Sequence, residues 1–471
     1  MLCLMAITLA FGFKSSTGSG FTFSDPIFYD GMTYVGNDTF VRCAEGQKRY
    51  GKCSTLSICV EVGTTYSAFL KRAFPSDYVK VGSSFEQIID MLLDNECNVL
   101  ASEVSFIQSV ASLNEGFRNR NFTVGTKRLT KEPHAIITGN HDHAFSDAIN
   151  WVVKALMFGE EQGLTKDPLR CQNSADSTTH RASDLRFLNA VFCVGNYRDI
   201  YVGDLAKRGM NNVNKGTGML YATPFGNLDK YALISPRNGD HIASSMLRKI
   251  RNETSLRCGV TVPYGYEEDI ADSDKLVGLS VEYCRALAAA IYIGDMHRVQ
   301  FVPFHEADNS SVIALANGTI DVLVGEVQQK WDFEVPPSFR GLQFSTPYYY
   351  WSVGNNVSFC ALATREDDTI FASFVNSIVL ATIYALENDI QKKDSGKMPF
   401  ASIFGTEMAW AFKDVIANSG NYDEMYVRSF GDRDSDVYKN RNTLSKGGPQ
   451  MHSLLWDHSL SDDGLSPSLF L

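Results

Sequence analysis

The chain has 471 residues and a formal net charge of −11; phosphate backbones are bound by clustered Lys and Arg, so this balance speaks against a nucleic-acid surface. Its 44% hydrophobic and 21% charged residues are ordinary for a globular protein, of a length for about two to four domains. No run of roughly 18 apolar residues stands out as a membrane-spanning helix.

In chain order, MLCLMAITLAFGF (1–13) has the length of a signal-peptide apolar core but lacks a basic start. It reads either as a leader or as the truncated start of a folded domain. FSDPIFYD follows at 23–30, and Cys43 and Cys53 then bracket a polar loop short enough for a disulfide to close. From residue 57, strand-like and helix-like segments alternate as SICVEVG, TTYSAFLKRAF, DYVKVG, SFEQIIDMLLDNE and CNVLASE. Such alternation with short connections implies a largely parallel sheet, and it makes Cys59 and Cys97 candidate cross-strand neighbours. Residues 141–165 and 184–206 read as helices around a polar loop at 171–184, and 229–254 reads as a linker.

A second run begins at 256 with the strand LRCGVTV and the helix SVEYCRALAAAIYI, whose Val281, Cys284, Leu287, Ala288 and Ile291 share one face. Strand VQFVPF, helix SSVIALANG and strand TIDVLVG complete it, and Cys258 and Cys284 fall on its first strand and helix. Helices follow at 367–390 and 407–428, and the polar tail at 456–471 reads as disordered. The ten cysteines include no CxxC pair, which speaks against a zinc ribbon. Disulfides and an oxidising compartment are expected, with buried thiols as the alternative. Sequons at Asn37, Asn121, Asn252, Asn309, Asn317 and Asn356 are compatible with export.

The chain also repeats itself. FSDPIFYD (23–30) returns as FSTPYYYW (344–351), an offset of 321. FSDAINWVVKAL (145–156) resembles FASFVNSIVLAT (371–382) at 226, and GNYRDIYVGDL (195–205) resembles GNYDEMYVRSF (420–430) at 225. The drop of 321 − 225 = 96 means that the second copy lacks about one small domain that the first possesses. The second copy is in turn preceded by patterned sequence, 256–343, that has no counterpart before the first.

With LRCGV, GLSVEYCRALAAAI, VQFVPF and ALANGTIDVL in 256–323, FSDPIFYDG at 23–31, NECNVLASE to 103 and KEPHAIIT at 131–138, the sequence resembles the periplasmic amino-acid-binding proteins of ABC transporters. These are solute-binding family 3, and the general L-amino-acid-binding branch is the nearest in pattern. The resemblance implies an α/β, type II periplasmic-binding-protein-like fold, two-lobed, here with incomplete duplicated lobes. It implies a first copy at 1–228, with lobe 2 at 57–133 and the C-terminal part of lobe 1 at 134–228. The second copy, 255–455, would lack lobe 2, and its lobe 1 would close over residues 57–133 as one composite cleft. An extracytoplasmic binder of an amino acid or related polar solute follows, partnered by a membrane transporter or receptor, without nucleic acid, cofactor or catalysis. The alternatives are a non-binding relic or interaction scaffold and, on the same fold, a dehydratase-type enzyme.

Site residues follow from the same resemblance and from their chemistry. Gly63, Thr64 and Thr65 join a strand to a helix N-terminus, a ready anion site for a ligand carboxylate, or equally a plain N-cap. Glu103 ends a strand where the family places the acid that meets the ligand ammonium. Tyr264 and Tyr266 stand where an aromatic covers the ligand side chain. Phe333 occupies the position of the family's carboxylate-forking Arg, with Lys330 and Arg340 as poor substitutes. The pair His141 and His143 in GNHDHAF reads as a helix start rather than a metal site, because TREDDTIF replaces it in the second copy. No GxSxG, P-loop or dinucleotide-binding glycine pattern is present.

Overall fold

The computed structural model describes residues 21–25, 27–46, 53–127, 129, 132–139, 141–161, 163–173, 185–200, 242, 244–262, 276–305, 310–325, 333, 341–353, 356–401 and 404–430. Tyr264, Tyr266, Lys330, Arg340, the leader-like start and the tail at 456–471 lie outside the described residues.

Two five-stranded sheets dominate, and they share one plan. In the first, the spatial order is Val79–Gly82, Ile58–Glu61, Val99–Glu103, Met32–Gly36, Thr123–Val124. Ile58–Glu61 runs parallel to both neighbours, whereas Met32–Gly36 is antiparallel to both of its own. In the second sheet the order is Val299–His305, Leu256–Val262, Val322–Val324, Ala363–Arg365, Leu342–Phe344, with Ala363–Arg365 as the antiparallel member. In each sheet the first strand of the parallel unit is central, flanked by the second and third, and a strand from a chain crossing is added antiparallel. That is the lobe topology of a type II periplasmic binding fold, as expected from the sequence.

The alternating segments form where their patterns placed them, within about three residues at either end. Thr64, Ser84 and Asp368 each cap a helix through the side chain, accepting from Ser67 N, Gln87 N and Phe371 N. Asn98 and Asp321 play one role in the two lobes: each accepts an N–H at the start of the first parallel strand, from Ser57 just before Ile58–Glu61 at 2.9 Å and from Arg257 in Leu256–Val262 at 3.0 Å.

Four readings change. The first sheet takes in Met32–Gly36, a fully buried strand well before residue 57, and the helix Asp38–Ala44 follows it. The stretch read as a linker, 229–254, ends in a core helix, Ser245–Asn252, with Met246, Leu247 and Ile250 buried. The helix Leu279–Ile291 is buried around its whole circumference except at Glu282 and Arg285, not along one stripe. Its Ala286, Ala288, Ala289 and Ala290 let the sheet and the C-terminal helices close on it from several sides. Lastly, Thr369–Leu386 is long and apolar enough to cross a membrane by length and composition, with mean hydropathy 1.8, but 67% of it is buried inside the protein. Phe374, Ile378, Val379 and Ala381 in this helix belong to the core of the second copy.

The repeated phrase acquires a structural meaning in two short ribbons. Phe28–Asp30 pairs with Glu132–His134, with Phe28 opposite His134, and Tyr349–Val353 pairs with Asn356–Cys360, with Tyr349 opposite Cys360. One side of the ribbon is displaced by 321 residues and the other by 226, so the register is the same. In the first copy the ribbon carries the chain out to the first sheet and back. In the second copy its two strands are adjacent in sequence, with Val353 opposite Asn356. The supporting bonds are duplicated too. Asp25 N donates to Asn150 Oδ1 at 2.7 Å, and Thr346 N to Asn376 Oδ1 at 2.8 Å. Tyr197 Oη donates to Ile27 O at 2.6 Å, and Tyr422 Oη to Tyr348 O at 2.7 Å. Tyr422→Phe removes a buried bond of this set and should cost about 1 kcal/mol in chemical denaturation.

Candidate functional site

In open parallel sheets, ligands bind beyond the carboxyl ends of the strands. In the first lobe that edge carries the turn after Ile58–Glu61 and the end of Val99–Glu103, which run side by side in parallel, Ile58 opposite Val99. The crossing ribbon enters at the same edge, since Met32 lies opposite Glu103.

The turn is built as an N-terminal cap. Gly63 has φ +79°, a conformation that glycine adopts without strain, and a Cβ placed on it would meet no atom within 4 Å. The backbone is therefore open to close approach from outside. Thr64 is extended; its hydroxyl donates to Glu61 O at 2.8 Å and accepts from Ser67 N at 3.2 Å. That hydroxyl is committed to the cap, so the ligand-directed donors at this turn are backbone N–H groups of the first helical turn of Thr65–Ala73. Glu61, just before the turn, has its carboxyl pushed above the usual range by partial burial and by the charge of Glu86.

Glu103 is placed otherwise than expected. Its side chain is fully buried, at 0% exposure, rather than standing at an open edge. It lies with Asp30 and His134, and one ligand-type atom from each falls within 4.8 Å of the others. Asp30 is itself buried; Oδ1 accepts from Gly31 N at 2.8 Å and Oδ2 from Ser105 N at 3.2 Å. Burial pushes the His134 imidazole below its ordinary pKa, and the Asp30 charge opposes this. Asp30 and His134 are absent from the site that the sequence suggested. They are far apart along the chain, and only the pairing of the crossing strands brings them to Glu103.

Phe333 packs against the small core of Val312, Leu315, Leu323, Leu342 and Ala363 in the second copy. An apolar ring held there offers nothing to a carboxylate. The start of helix His143–Glu161 behaves as a cap, with Asp142 Oδ1 accepting from Phe145 N at 2.9 Å, and Asp368 repeats that bond in the second copy. Among the described residues, the extensive element-to-element packing of the first lobe stays within it. The lobe is joined to its own copy through the ribbon of Phe28–Asp30 and Glu132–His134.

Among the described residues, four disulfides are present: Cys43–Cys53, Cys59–Cys97, Cys171–Cys193 and Cys258–Cys284. Three join the pairs picked out in the sequence. The fourth ties the helix Pro168–Asn173, in a stretch read as loop, to Leu185–Val194.

No protein-family model matches the chain. In sequence it is similar to the curated "Putative amino-acid ABC transporter-binding protein YhdW" of Escherichia coli, 22% identical over 233 residues, covering 44% of this chain and 66% of that protein. It is also similar to the general L-amino acid-binding periplasmic protein AapJ of Rhizobium johnstonii, 26% identical over 237 residues, covering 44% of this chain and 67% of AapJ. The chain thus spans about two thirds of these relatives, with 66% of YhdW covered. Among solved structures, it is similar to an ABC transporter periplasmic binding protein from Brucella ovis with glutathione bound, at 18% identity and TM-score 0.30, covering 39% of this chain and 62% of that one. The resemblance to amino-acid-binding proteins of ABC transporters, drawn from the motifs, is borne out by the curated relatives. Their partial coverage fits two incomplete copies.

Proposed function

We propose that the chain is an extracytoplasmic solute-binding protein that takes an amino acid or a related small solute bearing a carboxylate, and that serves a membrane transporter or receptor. The observation that carries this reading is the Gly63–Thr65 turn. A strand of a binding-fold lobe ends there, the backbone is open at Gly63, and a capped helix presents its N-terminus. Helix N-termini bind anions through their N–H groups and dipole. The four disulfides and the names of the curated relatives support a compartment outside the cytoplasm. Binding without catalysis agrees with those names and with the lack of a nucleophile–base pair in any sequence motif.

A second reading, a scaffold that keeps the lobes without a solute, is favoured by two observations. Phe333 stands in place of a carboxylate-forking Arg, and Glu103 is buried away from any open edge.

Thermal denaturation of the full chain with each of the amino acids in turn separates the readings. A binder at a hundredfold excess over its Kd adds about 2.7 kcal/mol, a rise of a few degrees. Thr64→Ala should cost about 1 kcal/mol of capping without abolishing that rise, whereas Gly63→Asn, whose side chain would fill the open approach at a φ that Asn tolerates, should abolish it. No rise with any amino acid would favour the scaffold.

A further inference from the structure

We propose that Asp30, Glu103 and His134 form a binding site for one divalent transition-metal cation at the hinge of the N-terminal lobe. The three residues come from three strands that the crossing topology forces together. Phe28–Asp30 pairs with Glu132–His134, and the next residues of the outgoing chain pair with Val99–Glu103, Met32 opposite Glu103. One donor atom of each residue lies within 4.8 Å of the other two. Zinc–nitrogen and zinc–carboxylate bonds of about 2.0–2.2 Å set ligand atoms roughly 3.3–4.3 Å apart, so small side-chain rotations would close the set on an ion.

The burial of the acids argues in the same direction. Asp30 is 3% exposed and Glu103 0%. Carboxylate oxygens out of water are good ligands for a cation, whose charge offsets the cost of burying theirs. An imidazole aimed at the same point adds a nitrogen donor, and one nitrogen with two carboxylate oxygens is a set that zinc and its neighbours accept, leaving a position for water.

The duplication supplies an internal control. The hairpin of the second copy has the same register as the ribbon, and its positions equivalent to Asp30 and His134 hold Trp351 and Cys360. The ribbon therefore does not itself require an acid and a histidine. They occur where the ribbon carries a lobe, and a cation there would tie both crossing strands to the lobe's sheet and stiffen the hinge. The site is independent of solute binding at the Gly63–Thr65 turn.

The test uses the full chain, stripped with EDTA, dialysed, loaded with ZnCl₂ and passed through a desalting column before elemental analysis. One equivalent of zinc should be retained, with a higher thermal midpoint than the stripped protein. Glu103→Gln and His134→Ala should each lose that equivalent, whereas the double variant His141→Ala/His143→Ala should keep it. Retention of no zinc by the wild type, or equal retention by Glu103→Gln and His134→Ala, would overturn the proposal. Should either variant fail to fold, cobalt loading of the wild type decides instead. One paramagnetically shifted imidazole is expected in its proton spectrum, and no shifted imidazole would overturn the site.

Discussion

Replacing Asp321 with Ala is expected to destabilise the C-terminal lobe by about 3–5 kcal/mol. Asp321 is fully buried at the start of the third strand of its sheet, and its carboxylate holds the first strand in place. Oδ2 accepts from Arg257 N and from Arg257 Nε, each at 3.0 Å, and Oδ1 accepts from Arg257 Nη2. Hydrogen bonding to Asp321 is also the largest of the influences that hold the Arg257 guanidinium more firmly protonated than usual. Removing the carboxylate leaves a strand N–H and a partly buried guanidinium without their acceptor, which is the costly way to break such a pair. A guanidinium chloride titration followed by circular dichroism should show the loss. A change below about 0.5 kcal/mol would mean that the pair is only a surface ornament.

The second large effect concerns the disulfide that joins Cys59, in the central strand Ile58–Glu61, to Cys97, just ahead of Val99–Glu103. The bridge closes a loop with a sequence separation of 38 residues. Chain-entropy arithmetic for such a loop gives about 4 kcal/mol, and loss of a native bridge from a small disulfide-dependent domain costs about 2–5 kcal/mol. The double variant Cys59→Ala/Cys97→Ala should therefore unfold its lobe at a markedly lower denaturant concentration. The lobe around Leu256–Val262, with its own bridge Cys258–Cys284, should be unaffected. Equal melting of both lobes in this variant would contradict the independence of their cores, which are separate clusters.

Much of this architecture was legible because local rules carry it. Short apolar runs and helical apolar spacing located the strands and helices of both parallel units, and the offsets of 321 and 226 reappear as the register of two ribbons. Non-local features were not legible. Met32–Gly36 has no parallel-unit neighbour in sequence and finds its place only by pairing with Val99–Glu103 after a crossing. The helix Ser245–Asn252 hid in a stretch read as linker, although Ser244 as its cap and the spacing of Met246, Leu247 and Ile250 were available signals. Its anchor, Asp368, which accepts from Ser244 Oγ, Ser245 Oγ and Met246 N, is distant in sequence. The candidate site divides along the same line. The Gly63–Thr65 turn is local and could be read directly, including the cap that competes with a ligand for Thr64. Glu103 could be named, but its burial beside Asp30 and His134 depends on two strand crossings that no pattern reports.

Equilibrium dialysis of the full chain against a radiolabelled amino-acid mixture, with Gly63→Asn dialysed in parallel, tests the central claim most directly. Retention near one amino acid per wild-type chain, and far less by Gly63→Asn, whose side chain would fill the open approach, is the expected result. No retention by the wild type, or equal retention by the two proteins, would contradict a solute held at the Gly63–Thr65 turn.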